Sequence, residues 1–171
     1  MANTYSLISS VTVGAGGAAN IEFTSIPQDY RDLLVKLSIR QNKNDGYSEI
    51  YMKINSSSSN FTIKVLYSVG SSSGSYSHSV GIVGSALGTT SNGGTSLFSN
   101  NEVYIPNYTS SNYKSYSADS VVPRNYTTHN PKDLIAGLWS NTAAITSLLF
   151  ESPGYDIEQY STAYLYGISN A

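Results

Sequence analysis

A glycine-rich run, VTVGAGGAANIEF at Val11–Phe23, carries the first spacing that could do chemistry. Gly14, Gly16 and Ala19 fit the G-x-G-x-x-[GA] pattern of a dinucleotide loop. Such a loop holds a pyrophosphate because it ends one strand and opens a helix whose first amides face the phosphate. Here Ile21 and Phe23 alternate with Glu22 and Thr24, and Pro27 follows. That alternation belongs to a strand, so no helix waits for the anion and the glycines are expected to form a hairpin bend.

Acid–base and metal-binding sets are equally thin. Asp156 and Glu158, in GYDIEQY, are the closest alternating carboxylates; on a strand they would share a face and could move protons or hold a cation. Solvated residues beside a turn are the simpler reading. His78 and His129 are the only histidines, no G-x-S-x-G nucleophile turn accompanies them, and both are expected on exposed loops. Asn42, Asn44 and Asp45 in NKNDG lack the leading Asp and closing Glu of a calcium loop, and Asp45-Gly46 reads as a hairpin turn. Cysteine is absent, which removes disulfides, thiolate zinc sites and cysteine nucleophiles. The chain is therefore expected not to be an enzyme, with no catalytic residue, cofactor or metal. Its N-x-[ST] triplets, at Asn55, Asn60, Asn107 and Asn125, are no more than a Ser/Thr/Asn-rich chain yields by chance.

Tyrosine is the more informative residue, with 15 copies against 4 Phe and 1 Trp. EVYIPNYTSSNYKSYSADS brings Tyr104, Tyr108, Tyr113 and Tyr116 into one short span beside Asn107 and Asn112. A ring with a polar tip suits a protein interface, and beside amides it can stack on a sugar. These four are the candidate interface residues; placement in the core or flat on a sheet is the alternative. Trp139, in AGLWS, is a weaker sugar platform because its segment reads as strand.

Strands are what must position these side chains. In DLLVKLSIR, Leu33, Val35, Leu37 and Ile39 fall on one face, and Ile50, Met52 and Ile54 repeat the pattern in EIYMKIN. Phe61, Ile63, Val65 and Tyr67 do so again in FTIKVLY. Tyr and Thr suit pleated surfaces, while Ala, Leu, Glu and Lys are too scarce for long surface helices. The expected fold is all-β, an antiparallel β-sandwich of jelly-roll type with about nine to eleven short strands and little or no helix. One domain is expected over residues 1–171, with Gly/Ser-rich loops at 68–79 and 84–96 around a weak strand near Val80–Val83.

Charge narrows the partners. Charged residues are 12% of the chain and the net charge is −2, without a basic run, so nucleic acid and anionic membrane are not expected partners. MANTYSLISS lacks a basic, apolar leader and no segment reaches membrane-spanning length, so the reading is a soluble, unexported chain starting at its own Met1.

Three stretches carry a family resemblance: YSLISSVTVGAGGAANIEFTSIPQDYRDLLVKLSIR, FSNNEVYIPNYTSSNYKSYSADSVV and LIAGLWSNTAAITSLLFESPGYDIEQYSTAYLYGI. They resemble small structural proteins of tailed bacteriophages, of the capsid-decoration or fibre-like kind. Most distinctive are IPNY at Ile105–Tyr108, GLWSNTAAITS at Gly137–Ser147 and LYGI at Leu165–Ile168; residues 42–95 depart most from the pattern. The resemblance implies a β-sandwich on the virion surface, made in the host bacterial cytoplasm and oligomeric, with a trimer favoured. It transfers no active-site residue. The expected partner is the major capsid protein or another virion protein, the domain acting as cement on the shell. A fibre-tip or receptor-recognition module binding a host surface glycan is the alternative. With a first strand expected near Met1 and a last one expected to end near Ile168, no shaft is expected, which favours the capsid role.

Overall fold

The computed structural model describes residues 4–44, 46–88, 97–124 and 130–169. Its elements are β1 (Tyr5–Thr12), β2 (Asn20–Phe23), β3 (Asp32–Gln41), β4 (Tyr47–Ile54), β5 (Phe61–Val69), β6 (Ser72–His78), β7 (Ile82–Gly88), β8 (Ser99–Ile105), β9 (Lys114–Val121), β10 (Lys132–Trp139), β11 (Leu148–Glu151) and β12 (Thr162–Ile168). The fold is all-β: these 12 strands join one mixed sheet, and no helix occurs among the described residues. Leu33, Val35, Leu37 and Ile39 are buried as their alternation requires, and so are Ile50, Met52 and Ile54.

Eight strands run antiparallel in the order β1-β12-β3-β8-β9-β10-β5-β6, and four more in the order β2-β11-β4-β7. The two runs meet at β3. Its first eight residues pair with β12 and β8, while Arg40 and Gln41 pair in parallel with Leu87 and Gly88 of β7.

Three local expectations change. The glycine-rich run is not a hairpin, because β1 pairs with β12 and β2 with β11. Gly17, at φ 70°, closes a turn on Gly14, and Ala18 then bridges to Ile157. The run is a crossover that carries the chain from one strand run to the other. The link after β3 is also a crossover, since β3 and β4 do not pair; Asp45 lies outside the described residues. Third, residues 68–79 are not a loop. Ser72–His78 forms edge strand β6 against β5, because a partner's free hydrogen-bonding edge, and not composition, makes this serine run extended. Residues 84–88 belong to the fully buried β7, and 89–96 lie outside the described residues.

Facing the interior, two adjacent cross-strand rows differ in kind. One runs Leu165, Val35, Val103, Ala118, Ile135, Val65 and is apolar throughout. The next, two residues or roughly 7 Å along the strands, runs Leu37, Asn101, Ser120, Asp133, Tyr67. β7 lies over this polar row. The Ser85 amide donates to Asn101 Oδ1 (3.3 Å) and Ser120 Oγ (3.1 Å), and Ser85 Oγ donates to Asp133 Oδ2 (3.1 Å). Gly84 permits this approach: at φ 149°, a Cβ on it would stand 2.2 Å from Asn101 Oδ1.

Candidate functional site

The four candidate tyrosines part company. Tyr108 is fully buried and donates its hydroxyl to the Pro27 carbonyl. Tyr116 is buried as well, donating to Ile82 O (3.0 Å), with its ring packed where Gly137 of β10 has no side chain. Burial pushes both phenols up. Neither is an interface residue of the folded chain. Tyr116 shares the inward parity of β9 with Ala118 and Ser120, and the same parity buries Lys114, whose Nζ donates to Asn112 O (2.5 Å). Tyr104 and Tyr113 remain exposed, at 37% and 59%.

Tyr104 belongs to a second row, on the outer face of the sheet. Leu7, Tyr166, Leu34 and Tyr104 are successive cross-strand partners over β1, β12, β3 and β8. Tyr5 and Tyr164 flank the row, and Tyr5, Leu7 and Tyr164 expose 57%, 55% and 38% of their surface. The Tyr104 hydroxyl donates to Asp32 Oδ2 at 2.9 Å, which raises its pKa. Lys36 and Glu102 form an ion pair beside the stripe. The whole is an aromatic and aliphatic band, exposed on β1, β12 and β8, with Leu34 of β3 buried between them.

A cleft of about 310 Å³ opens where β4 and β7 meet the far end of the polar row. Tyr47, Glu49, Tyr67, Tyr76, Ser85 and Asp133 line it. Glu49 Oε1 accepts from the Tyr76 hydroxyl (2.8 Å) and Oε2 from Tyr51 (3.2 Å). Burial, then the bond to Glu49, pushes the Tyr76 phenol well above its usual range. Asp133 is buried at the floor; burial raises its carboxyl pKa and the Glu49 charge adds to the rise, against the Ser85 hydrogen bond. Neither carboxylate has an ion-pair partner among the described residues, where the pairs are Lys36–Glu102, Arg40–Glu158 and Lys53–Glu151. A larger hollow, about 410 Å³, lies beside the exposed Leu66–Leu134 pair and shares Tyr67 and Asp133, but Tyr67 is its one aromatic residue.

Other residues with chemical promise are tied down. Asp156 exchanges hydrogen bonds with Asn42, and Glu158 pairs with Arg40 at 3.6 Å, so both brace the end of β3 and do not form an acid–base couple. His78 is exposed and accepts from the Val80 amide, whereas His129 lies outside the described residues. Trp139 is buried in the core and offers no sugar platform. The Asn55 side chain bonds Ala144 O, Thr146 N and Ser147 N, a structural strut at a sequon. No cluster of three or more potential metal ligands occurs among the described residues.

Comparison with protein-family models, with curated proteins and with solved structures yields no match to this chain. Geometry and sequence pattern therefore carry the functional reading.

Proposed function

We propose that this chain is a non-catalytic structural protein of a bacteriophage virion, a decoration or cement protein that docks on the capsid shell and stabilises it. The observation that supports this reading is the outer stripe of Leu7, Tyr166, Leu34 and Tyr104 with its flanking Tyr5 and Tyr164. Exposed tyrosine and leucine rings and chains at Tyr5, Leu7, Tyr104 and Tyr164, gathered around the buried Leu34, have the make-up of an interface core. The sequence resemblance to phage structural proteins points the same way. A protein that binds the assembled shell, and not its separated subunits, stabilises the shell by mass action. Oligomerisation, as the expected trimer, would let weak contacts from each copy add.

Cryo-electron microscopy of the virion tests this directly. Density for the chain over the capsid lattice supports the cement role, and density only at the tail tip overturns it. Replacing Leu7 and Tyr164 together by serine is expected to abolish shell binding while changing stability by only about 1 kcal/mol, as for two exposed sites. Light scattering reads the oligomeric state. A fibre-tip, glycan-binding role draws on the 59%-exposed Tyr113 ring. Saturable binding on a host glycan array, lost in Tyr113→Ala, would replace the cement reading.

A further inference from the structure

We propose that the cleft between β4, β7 and the β10-β5-β6 face binds the ammonium head of a small organic cation, such as a quaternary or alkylated amine. This site lies apart from the outer stripe and stands whether or not the cement role does.

Shape is the first argument. The Tyr67 and Tyr76 rings sit 6.0 Å apart with their planes at 48°, forming an angled wall, and Tyr47 lines the same space. Tyr67 is held there because its cross-strand partner on the edge strand is Gly74, over which the ring packs. Aromatic faces set at an angle around a small hollow suit a cation, which is drawn to the negative face of each ring.

Charge is the second. Glu49 and Asp133 both line the hollow without an ion-pair partner among the described residues. Arg124 stands beside Gly46, next to Tyr47, and does not line the hollow. The flanking cations, Arg124 and Lys43 (whose Nζ donates to the Tyr47 carbonyl), lie outside the lining. The hollow itself is lined by one buried and one half-buried carboxylate and by no positive charge.

The third argument concerns which donors remain. The Tyr76 hydroxyl is committed to Glu49, and the Ser85 hydroxyl to Asp133. Only the Tyr47 and Tyr67 hydroxyls remain as donors, set against the carboxylate oxygens of Glu49 and Asp133 and the ring faces. A sugar ring would ask for both donors and acceptors, whereas an ammonium asks only for faces and negative oxygens. A hard metal ion would need about six oxygen ligands, which three aromatic walls do not supply.

Isothermal titration of the whole chain with choline, tetramethylammonium, methyl glucoside and dimethylbutanol, the uncharged carbon isostere of choline, decides the matter. Both ammonium compounds are expected to bind saturably, with dimethylbutanol about tenfold or more weaker. Glu49→Gln and Tyr67→Leu should each weaken choline binding about tenfold, as loss of a charge or a ring face would. If near-ultraviolet circular dichroism shows that either variant disturbs the fold, the choline-to-dimethylbutanol ratio on the unmodified chain decides alone. No saturable ammonium binding, equal binding of the carbon isostere, or a preference for the glucoside overturns the proposal.

Discussion

Two rows of inward side chains lie side by side on one sheet, and they are built on opposite principles. The Val35–Val103–Ala118–Ile135–Val65 row is held by burial alone, so any apolar group of fitting volume would serve. In the Asn101–Ser120–Asp133–Tyr67 row, each group from Asn101 to Asp133 needs a named partner, and Ser85 of β7 supplies it. The apolar row provides stability without requiring any one named partner. The polar row fixes where β7 sits, and its outer end opens into the tyrosine-lined cleft. A polar element inside an otherwise alternating core is the usual mark of a specificity device or a site.

Exchanging the two kinds of residue breaks the comparison most directly. Val103→Asn removes a buried aliphatic group and puts an unpartnered amide into the apolar row, with an expected cost of about 3–5 kcal/mol by urea denaturation. A loss under about 1 kcal/mol would mean that the row tolerates polar groups and that the contrast is false. Gly84→Ala comes next. Its Cβ would meet Asn101 Oδ1 at 2.2 Å and Ser120 Cβ at 2.9 Å, at a φ that disfavours a side chain. Overpacking of this kind is expected to cost about 2–3 kcal/mol.

Asn101→Ala is milder, about 1–2 kcal/mol, because the Ser85 amide keeps Ser120 Oγ as an acceptor. The double variant Gly84→Ala/Asn101→Ala sharpens the point. Removing the amide clears the nearest clash, so the pair should cost less than the sum of the single changes. Strict additivity would show that Gly84 and Asn101 do not press on each other.

The apolar row is legible in the amino-acid order itself. Val35 and Val65 sit at alternate positions of unmistakable strands, and burial follows from period two. The polar row is not, because Asn101, Ser120 and Asp133 look like solvent-facing residues until β7 provides their partners. Pairing is hidden for a related reason: Gly14–Ala19 marks a break between two strands, but which strand each arm meets is decided by residues more than a hundred positions away. Tyr108 and Tyr116 are legible as ring-bearing residues and not as buried ones. The parity of Tyr116 with Ala118 is the available signal, while Tyr108 lies in a connection with no period to read. Tyr47, Tyr67 and Tyr76 carry no shared signal because they converge from three strands, two of them in or beside the least regular part of the sequence.

Asp133→Asn tests the comparison at its most delicate place and is expected to act with the opposite sign. Burial raises the Asp133 carboxyl pKa in the folded chain, so folding favours its protonated form. The stability contributed by this group is fully present below its ordinary value of 3.8 and is lost as pH rises through the higher folded value. At neutral pH the ionised Asp133 therefore weighs against folding, and an amide of the same shape keeps the acceptor for Ser85 Oγ without the charge. Asp133→Asn should raise the urea midpoint at neutral pH, and the gain should vanish in acid, where the native residue is itself neutral. The same variant should bind choline more weakly, so that a small gain in stability accompanies a loss at the cleft. A variant less stable at neutral pH would mean that a contact inside the fold compensates the carboxylate, and the row would then be a structural strut with no cost retained for a ligand.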